Sequence, residues 1–256
     1  MDSIEQKKIM ADVLKRAKNT AKPNSCIICG EKQTSFCKSH LIPQMILKTI
    51  AENGMLLHSN ILAGIEAMDI EKGVGNAGTF HFICNKCDGT IFQNYENREA
   101  LKSYPTDSML AEIAMKNMLL MISKRNEEKA IYDIVQKEGG MIEGKNILDE
   151  IKDMDKQEYL DELELYKEII DKKITGCFQV LYWKKLPYVV PVAVQTPMVL
   201  YEDMNGEIVN DVYSDDPNCR MQNLHLCVFP IENETVVLLF HHRRDKNYRK
   251  LCKGGY

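Results

Sequence analysis

Two cysteine pairs and one histidine carry the chemistry legible in this chain. Cys26-Ile27-Ile28-Cys29 is followed directly by Gly30, and Cys84-Asn85-Lys86-Cys87 by Asp88. Two C-x2-C units in one chain are the usual grammar of a tetrahedral zinc site, because two thiolates at that spacing can curl around one ion. Gly30 supplies the positive-φ freedom that such a knuckle needs. Cys26, Cys29, Cys84 and Cys87 are therefore expected to hold one structural Zn2+, which would contribute folding energy directly. Cys37 and His40, with two residues between them, form a second plausible half-site, so a ligand swap stays open at this level. His40 itself, in Ser39-His40-Leu41-Ile42-Pro43, is either a packed residue or a base. A neutral imidazole can take a proton from water because its ordinary pKa lies near neutrality.

The elements that must position these residues read as α+β. Residues 1–20 carry an apolar stripe at helical spacing, and Ala21-Lys22-Pro23-Asn24-Ser25 ends it. Residues 26–43 should form a short hairpin-like piece, and Pro43 should start a helix over Gln44–Ala51. The glycine-rich stretch 52–79 has no strong period and reads as an excursion between the halves of the metal site. Thr79–Ile83 alternates like a strand that delivers Cys84, and Gly89–Leu101 reads as a helix. A buried, methionine-rich helix should run from Met109 through Lys124 and on toward Lys137, with Asp107 or Ser108 as cap. Asn146–Lys173 reads as a second long helix with a solvated acidic face that includes Glu162. Six short strands are expected between Cys177 and His241: 178–183, 189–194, 198–202, 207–213, 224–229 and 236–241. Asn205-Gly206 and Glu232-Asn233-Glu234 should provide turns. This divides the chain into a zinc-binding part (1–104), a helical segment (105–175) and a β-rich part with a basic tail (176–256).

Composition narrows the function classes. The chain has 256 residues, 45% of them hydrophobic, and a net charge of −4. No global positive field draws in nucleic acid, so any such binding must use a local patch. The tail offers one in Arg243, Arg244, Lys246, Arg249 and Lys250, or else a basic end that balances the acidic helix. No apolar run approaches the ~18 residues of a membrane span. Paired cysteines without a secretory leader point to the reducing cytoplasm, where they bind metal.

The order C-x2-C, Ser39-His40-Leu41-Ile42-Pro43, C-x2-C-Asp88 resembles the zinc-supported HNH endonucleases over about residues 24–100. The resemblance implies a ββα-metal fold in which His40 is the general base that activates water against a phosphodiester. A divalent ion, Mg2+ or Mn2+, would stabilise the scissile phosphate, and the four cysteines would match the separate structural zinc. It also implies a nucleic-acid partner, with defence against foreign DNA as one use. Two positions depart from the pattern. The family's acidic residue before the histidine is Ser39, and its histidine after the second pair is Asp88. Asp88 is a good oxygen ligand for Mg2+, and Glu96 would share its face if 89–101 were one helix. The alternative is a non-catalytic zinc module for nucleic-acid or protein interaction, in which an oligomer or partner protein would be the functional form.

Overall fold

The computed structural model describes residues 3–58, 71–203, 205–214, 216 and 219–250. The architecture is mixed α and β, as the sequence implies. No helix among the described residues is long and apolar enough to cross a membrane. The chain packs as two compact units interleaved in sequence. The first comprises Met1–Leu41, Ala51–Thr90 and Leu119–Asp161; the second comprises Ile42–Ile50, Ile91–Met118 and Glu162–Tyr256.

The first unit opens with α1 (Ser3–Thr20). Val13 and Ala17 of this helix pack on Ala130 and Ile131 as a small apolar cluster. The knuckle 26–30 follows, closed by a bridge between Ser25 and Lys32. The expected hairpin across 26–43 is replaced by this bridge and by β1 (Ser39–His40). The partner of β1 is β4 (Thr79–Phe80), antiparallel, with Ser39 opposite Phe80 and His40 opposite Thr79. Strand β4 is shorter than the expected 79–83, because the backbone of Phe82 and Ile83 is used elsewhere. Ile27 N–H donates to the Phe82 carbonyl (3.0 Å) and Cys37 N–H to that of Ile83 (2.8 Å). Between them, β2 (Met55–Leu57) and β3 (Glu71–Gly73) pair antiparallel and frame the glycine-rich excursion. Residues 59–70 of that excursion lie outside the described part. Next comes α3 (Asn85–Ile91), whose first turn carries Cys87 and Asp88.

The second unit contains α2 (Gln44–Ile50), which begins directly after Pro43. The expected helix over 89–101 is broken: α3 stops at Ile91 and α4 spans Arg98–Leu101. Phe92 and Tyr95 between them are fully buried. Each such aromatic stabilises by about 2–3 kcal/mol, more than the few tenths that continuing the helix would supply. Tyr95 N–H turns to the Glu112 carboxylate (2.7 Å), and Asn97 recaps the chain by accepting from Ala100 N–H (3.0 Å).

Two long helices follow, α5 (Asp107–Lys137) and α6 (Lys145–Lys172). Met109, Met115 and Met118 of α5 are buried, so the methionine stripe is core. The cap of α5 is Thr106, whose hydroxyl accepts from Met109 N–H (3.3 Å). Asp107, expected as a cap, instead accepts from the backbone N–H groups of Gly176, Cys177 and Phe178.

Four strands close the second unit: β5 (Phe178–Leu186), β6 (Val194–Met198), β7 (Leu224–Ile231) and β8 (Glu234–His242). They form one antiparallel sheet in the order β5-β8-β7-β6. Three of the six expected strands change. Residues 189–194 and 198–202 give way to a single edge strand, where Pro197 is tolerated because it need not donate on its open side. Ahead of it the Thr235 hydroxyl takes over ladder bonding, accepting from Val190 N–H (2.8 Å) and donating to the Tyr188 carbonyl (2.9 Å). Residues 207–213 form no strand; only Ile208 bridges, to Glu202. The turn at Glu232-Asn233 is as expected, with Glu232 at φ 57°.

Candidate metal centre and the histidine strand

Cys26 and Cys29 flank the first knuckle, and Cys84 and Cys87 straddle the start of α3. Gly30 turns the knuckle at φ 74°, its N–H donating to the Cys26 carbonyl (2.8 Å). One sulfur from each of the four cysteines lies within 4.8 Å of all the others. Cys29 and Cys84 Sγ are 4.0 Å apart. A tetrahedral zinc with 2.3 Å bonds needs sulfurs about 3.8 Å apart, so the quartet fits that ion. Backbone amides already point at the sulfurs: Cys84 N–H at Cys26 Sγ (3.3 Å) and Cys87 N–H at Cys84 Sγ (3.4 Å).

Electrostatics agree with a bound cation. Burial would raise the Cys26 thiol, but backbone N–H groups of Cys29, Cys84 and Ile28 outweigh it and bring it down to about 7. Cys87 is pushed up, first by burial and then by its thiol neighbours. Four clustered thiols cannot all ionise unless a positive ion offsets their mutual repulsion. Cys37 and His40 stand outside the quartet, so the ligand swap left open by the sequence is not needed.

Ser39 and His40 leave β1 on opposite faces, as strand geometry requires. Ser39 is 1% exposed, and its hydroxyl donates to Asp88 Oδ1 (2.6 Å). Cys37 Sγ donates to Asp88 Oδ2 (3.1 Å). The two positions at which this chain departs from the HNH pattern, Ser39 and Asp88, thus meet each other. His40 is half-buried, and its Nε2 lies 3.1 Å from the Val74 carbonyl. A carbonyl only accepts, so Nε2 carries the proton and Nδ1 is the basic nitrogen. Val74 could not be foreseen, since a backbone carbonyl leaves no mark in the sequence.

Glu96 serves another group. Its carboxylate pairs with Lys116 Nζ (2.6 Å), a lysine with no exposed side-chain surface that also stands 4.4 Å above the Phe92 ring. With the helix broken, the expected shared face of Asp88 and Glu96 is lost. Among the described residues the cysteine quartet is the only group of three or more metal-ligating side chains, so no carboxylate cage for Mg2+ or Mn2+ forms around Asp88.

The basic tail is largely engaged within its own unit. Arg244 pairs with the buried Glu162, which also accepts from Arg220 (3.0 Å). Glu162 therefore leaves the solvated acidic face on which the sequence places it. Arg243 Nε donates to the Phe178 carbonyl (3.1 Å), and Arg249 Nη2 to the Arg243 carbonyl (2.8 Å). Lys246 is exposed, and the Lys250 side chain lies outside the described part.

No protein-family model, curated protein or solved structure matches the chain. The likeness to HNH enzymes accordingly rests on the motif residues and their arrangement alone.

Proposed function

We propose that the chain is an HNH-type endonuclease that hydrolyses phosphodiester bonds of nucleic acid. One observation carries the reading: β1 pairs with β4, which leads into α3, with Cys84 and Cys87 of the sulfur quartet at the helix start and an imidazole on β1 whose Nε2 is held by the Val74 carbonyl. With Nε2–H committed to Val74, His40 Nδ1 takes a proton from an attacking water. The water oxygen bonds to phosphorus while the bond to the leaving oxygen breaks. Asp88, with Ser39 against it, is where a divalent ion would be held. Mg2+ commonly binds through one or two carboxylates together with substrate phosphate and water, and such an ion supplies Lewis-acid stabilisation of the phosphate.

The test is plasmid cleavage with Mg2+ or Mn2+. His40→Ala should lower the rate by about 10²–10⁴-fold, the usual range for loss of a general base, with zinc content and melting temperature unchanged. Cleavage that survives the substitution takes His40 out of the mechanism.

A second reading, a non-catalytic zinc module for nucleic acid or protein, is favoured by Asp88, whose two oxygens accept from Ser39 and Cys37. Under it neither ion supports cleavage and His40→Ala changes nothing but local packing.

A further inference from the structure

Five lysines drawn from four separate segments gather in the first unit, around the turn that holds His40. That turn, 73–78, is a hub. Its Val74 carbonyl takes His40, its Asn76 side chain accepts from Lys38 Nζ, and its Gly78 N–H donates to His58 Nε2 (3.0 Å). Lys72, on β3, enters the same turn and pairs across the ladder with Leu56. The fields of these groups reach one another. His58 is lowered first by burial, then by Lys72, Lys124 and Lys18. His81 is brought to about 4, first by burial and then by Lys18, Lys22 and Lys38. Lys18 is itself lowered by burial and by Lys72, Lys38 and Lys22, with Glu127 opposing.

None of the five lysines forms an ion pair with a described residue. Two carboxylates face the cluster: Glu127, which feels Lys18, Lys124 and Lys72 and accepts from Ser123 (3.1 Å), and Glu128, which acts on Lys124 and pairs with Arg125 and Lys152. The two imidazoles are lowered by burial and by the lysines, and five lysines outnumber the two carboxylates that face them, so the cluster is net positive. His81 Nδ1 is buried without a hydrogen-bond partner. Crowding like charges costs folding free energy, and the opposite charge of a bound anion would offset that cost.

We propose that Lys18, Lys38, Lys72 and Lys124, with Lys22 at the rim, form a cradle for the phosphate backbone of nucleic acid beside His40. This rests on the reading of the molecule as one that acts on nucleic acid, but not on hydrolysis. It relocates the basic surface from the tail, where the sequence places it, to the turn that positions the imidazole. Separated cations with no base-reading side chains among them hold phosphates without selecting sequence.

The experiment measures binding of a short fluorescein-labelled DNA duplex by anisotropy across a salt series, without added divalent ion. The protein is the 256-residue chain carrying His40→Ala, so that binding is scored apart from cleavage. Adding Lys22→Gln, Lys38→Gln and Lys72→Gln should weaken binding on the order of 10-fold or more at 0.1 M salt. The log–log salt slope should fall by about 0.9 per lysine. Arginine at the same three positions should restore both, which separates lost charge from lost fold. Lys246→Gln with Arg249→Gln in the tail should leave affinity and slope within about 2-fold, since neither residue belongs to the proposed cradle. Unchanged affinity and slope in the glutamine triple, failure of arginine to restore them, or loss confined to the tail variant would overturn the cradle. Binding that follows the lysines in a protein that cleaves nothing would sink the nuclease reading and leave the cradle standing.

Discussion

The two units stabilise themselves by different means. The first has strands of two or three residues, an apolar cluster of Val13, Ala17, Ala130 and Ile131 on its helices and a knuckle whose backbone bonds converge on sulfur. Phe80, Phe82 and Ile83 are buried in this unit, and a metal ion at the quartet would add folding energy to what that small core supplies. The second has a four-stranded sheet with Phe178, Phe229 and Phe240 buried, and a polar chain through the core. In that chain Tyr95 donates to Gln195, Gln195 Nε2 to Asn117 (3.0 Å), and Asn117 Nδ2 to His225 Nδ1 (3.0 Å). Fully satisfied buried networks of this kind specify one packing. The candidate site belongs to the unit that carries the cysteine quartet, and there is a physical reason for that. An ion fixes short loops in place without a large core, so imidazole, carboxylate and lysines can remain near solvent while being held rigidly.

The comparison can be broken most severely at Cys84. Cys84→Ser should abolish zinc binding, removing about 10–16 kcal/mol of apparent binding free energy from the first unit. Hydrogen exchange should then lose protection at residues 26–41 and 79–90. Emission from Trp183, on β5 and edge-on to Tyr104, reports the sheet unit in the same sample. Equal loss of both signals would show that the two units do not differ as described.

A smaller effect should come from Glu162→Gln in the second unit. It leaves Arg244 without its ion-pair partner and Arg220 with Asp245 alone, and should cost about 3 kcal/mol by urea unfolding. That is the low end for a broken buried pair, because both arginines keep 32% of their side chains in solvent. Zinc content should not change; a fall would mean that the buried charges also support the metal unit.

The mildest test is pH. Burial, then the charges of His241 and His242, hold His225 down to about 3; burial, then Arg244 and Arg220, hold His242 at about 4. Unfolding returns both to about 6.5. The unfolded chain therefore takes up protons first, and stability falls as pH drops from about 6.5 toward 4. Asp245 opposes this: burial raises it to about 6, so between about 6 and its ordinary 3.8 its own contribution grows as pH falls. Two histidines against one aspartate leave a net loss on acidification. His225→Phe should lower the Trp183-monitored melting temperature at pH 7 but flatten its decline toward pH 5. An unaltered slope would remove His225 from the titration.

Much of this was legible beforehand where spacing alone decides. The cysteine quartet, helices α1, α2, α5 and α6, and the Glu232-Asn233 turn follow from local pattern. The break after Ile91 did not, because burial of Phe92 and Tyr95 overrides a helical period, although Asn97 carried a cap signal. The merged strand Val194–Met198 was hidden by Pro191 and Pro197, whose tolerance depends on lying at a sheet edge. Glu162 looked solvated because its partners, Arg220 and Arg244, are far away in sequence. The lysine cluster was invisible for a similar reason: a dense run such as the tail draws attention, whereas five single lysines leave no local signal.

Elemental analysis of the purified chain tests the central claim most directly. One zinc ion per chain, released only as the first unit unfolds, is the expected result. A folded chain without metal, or one that gives up its ion while residues 26–41 stay protected, would contradict it.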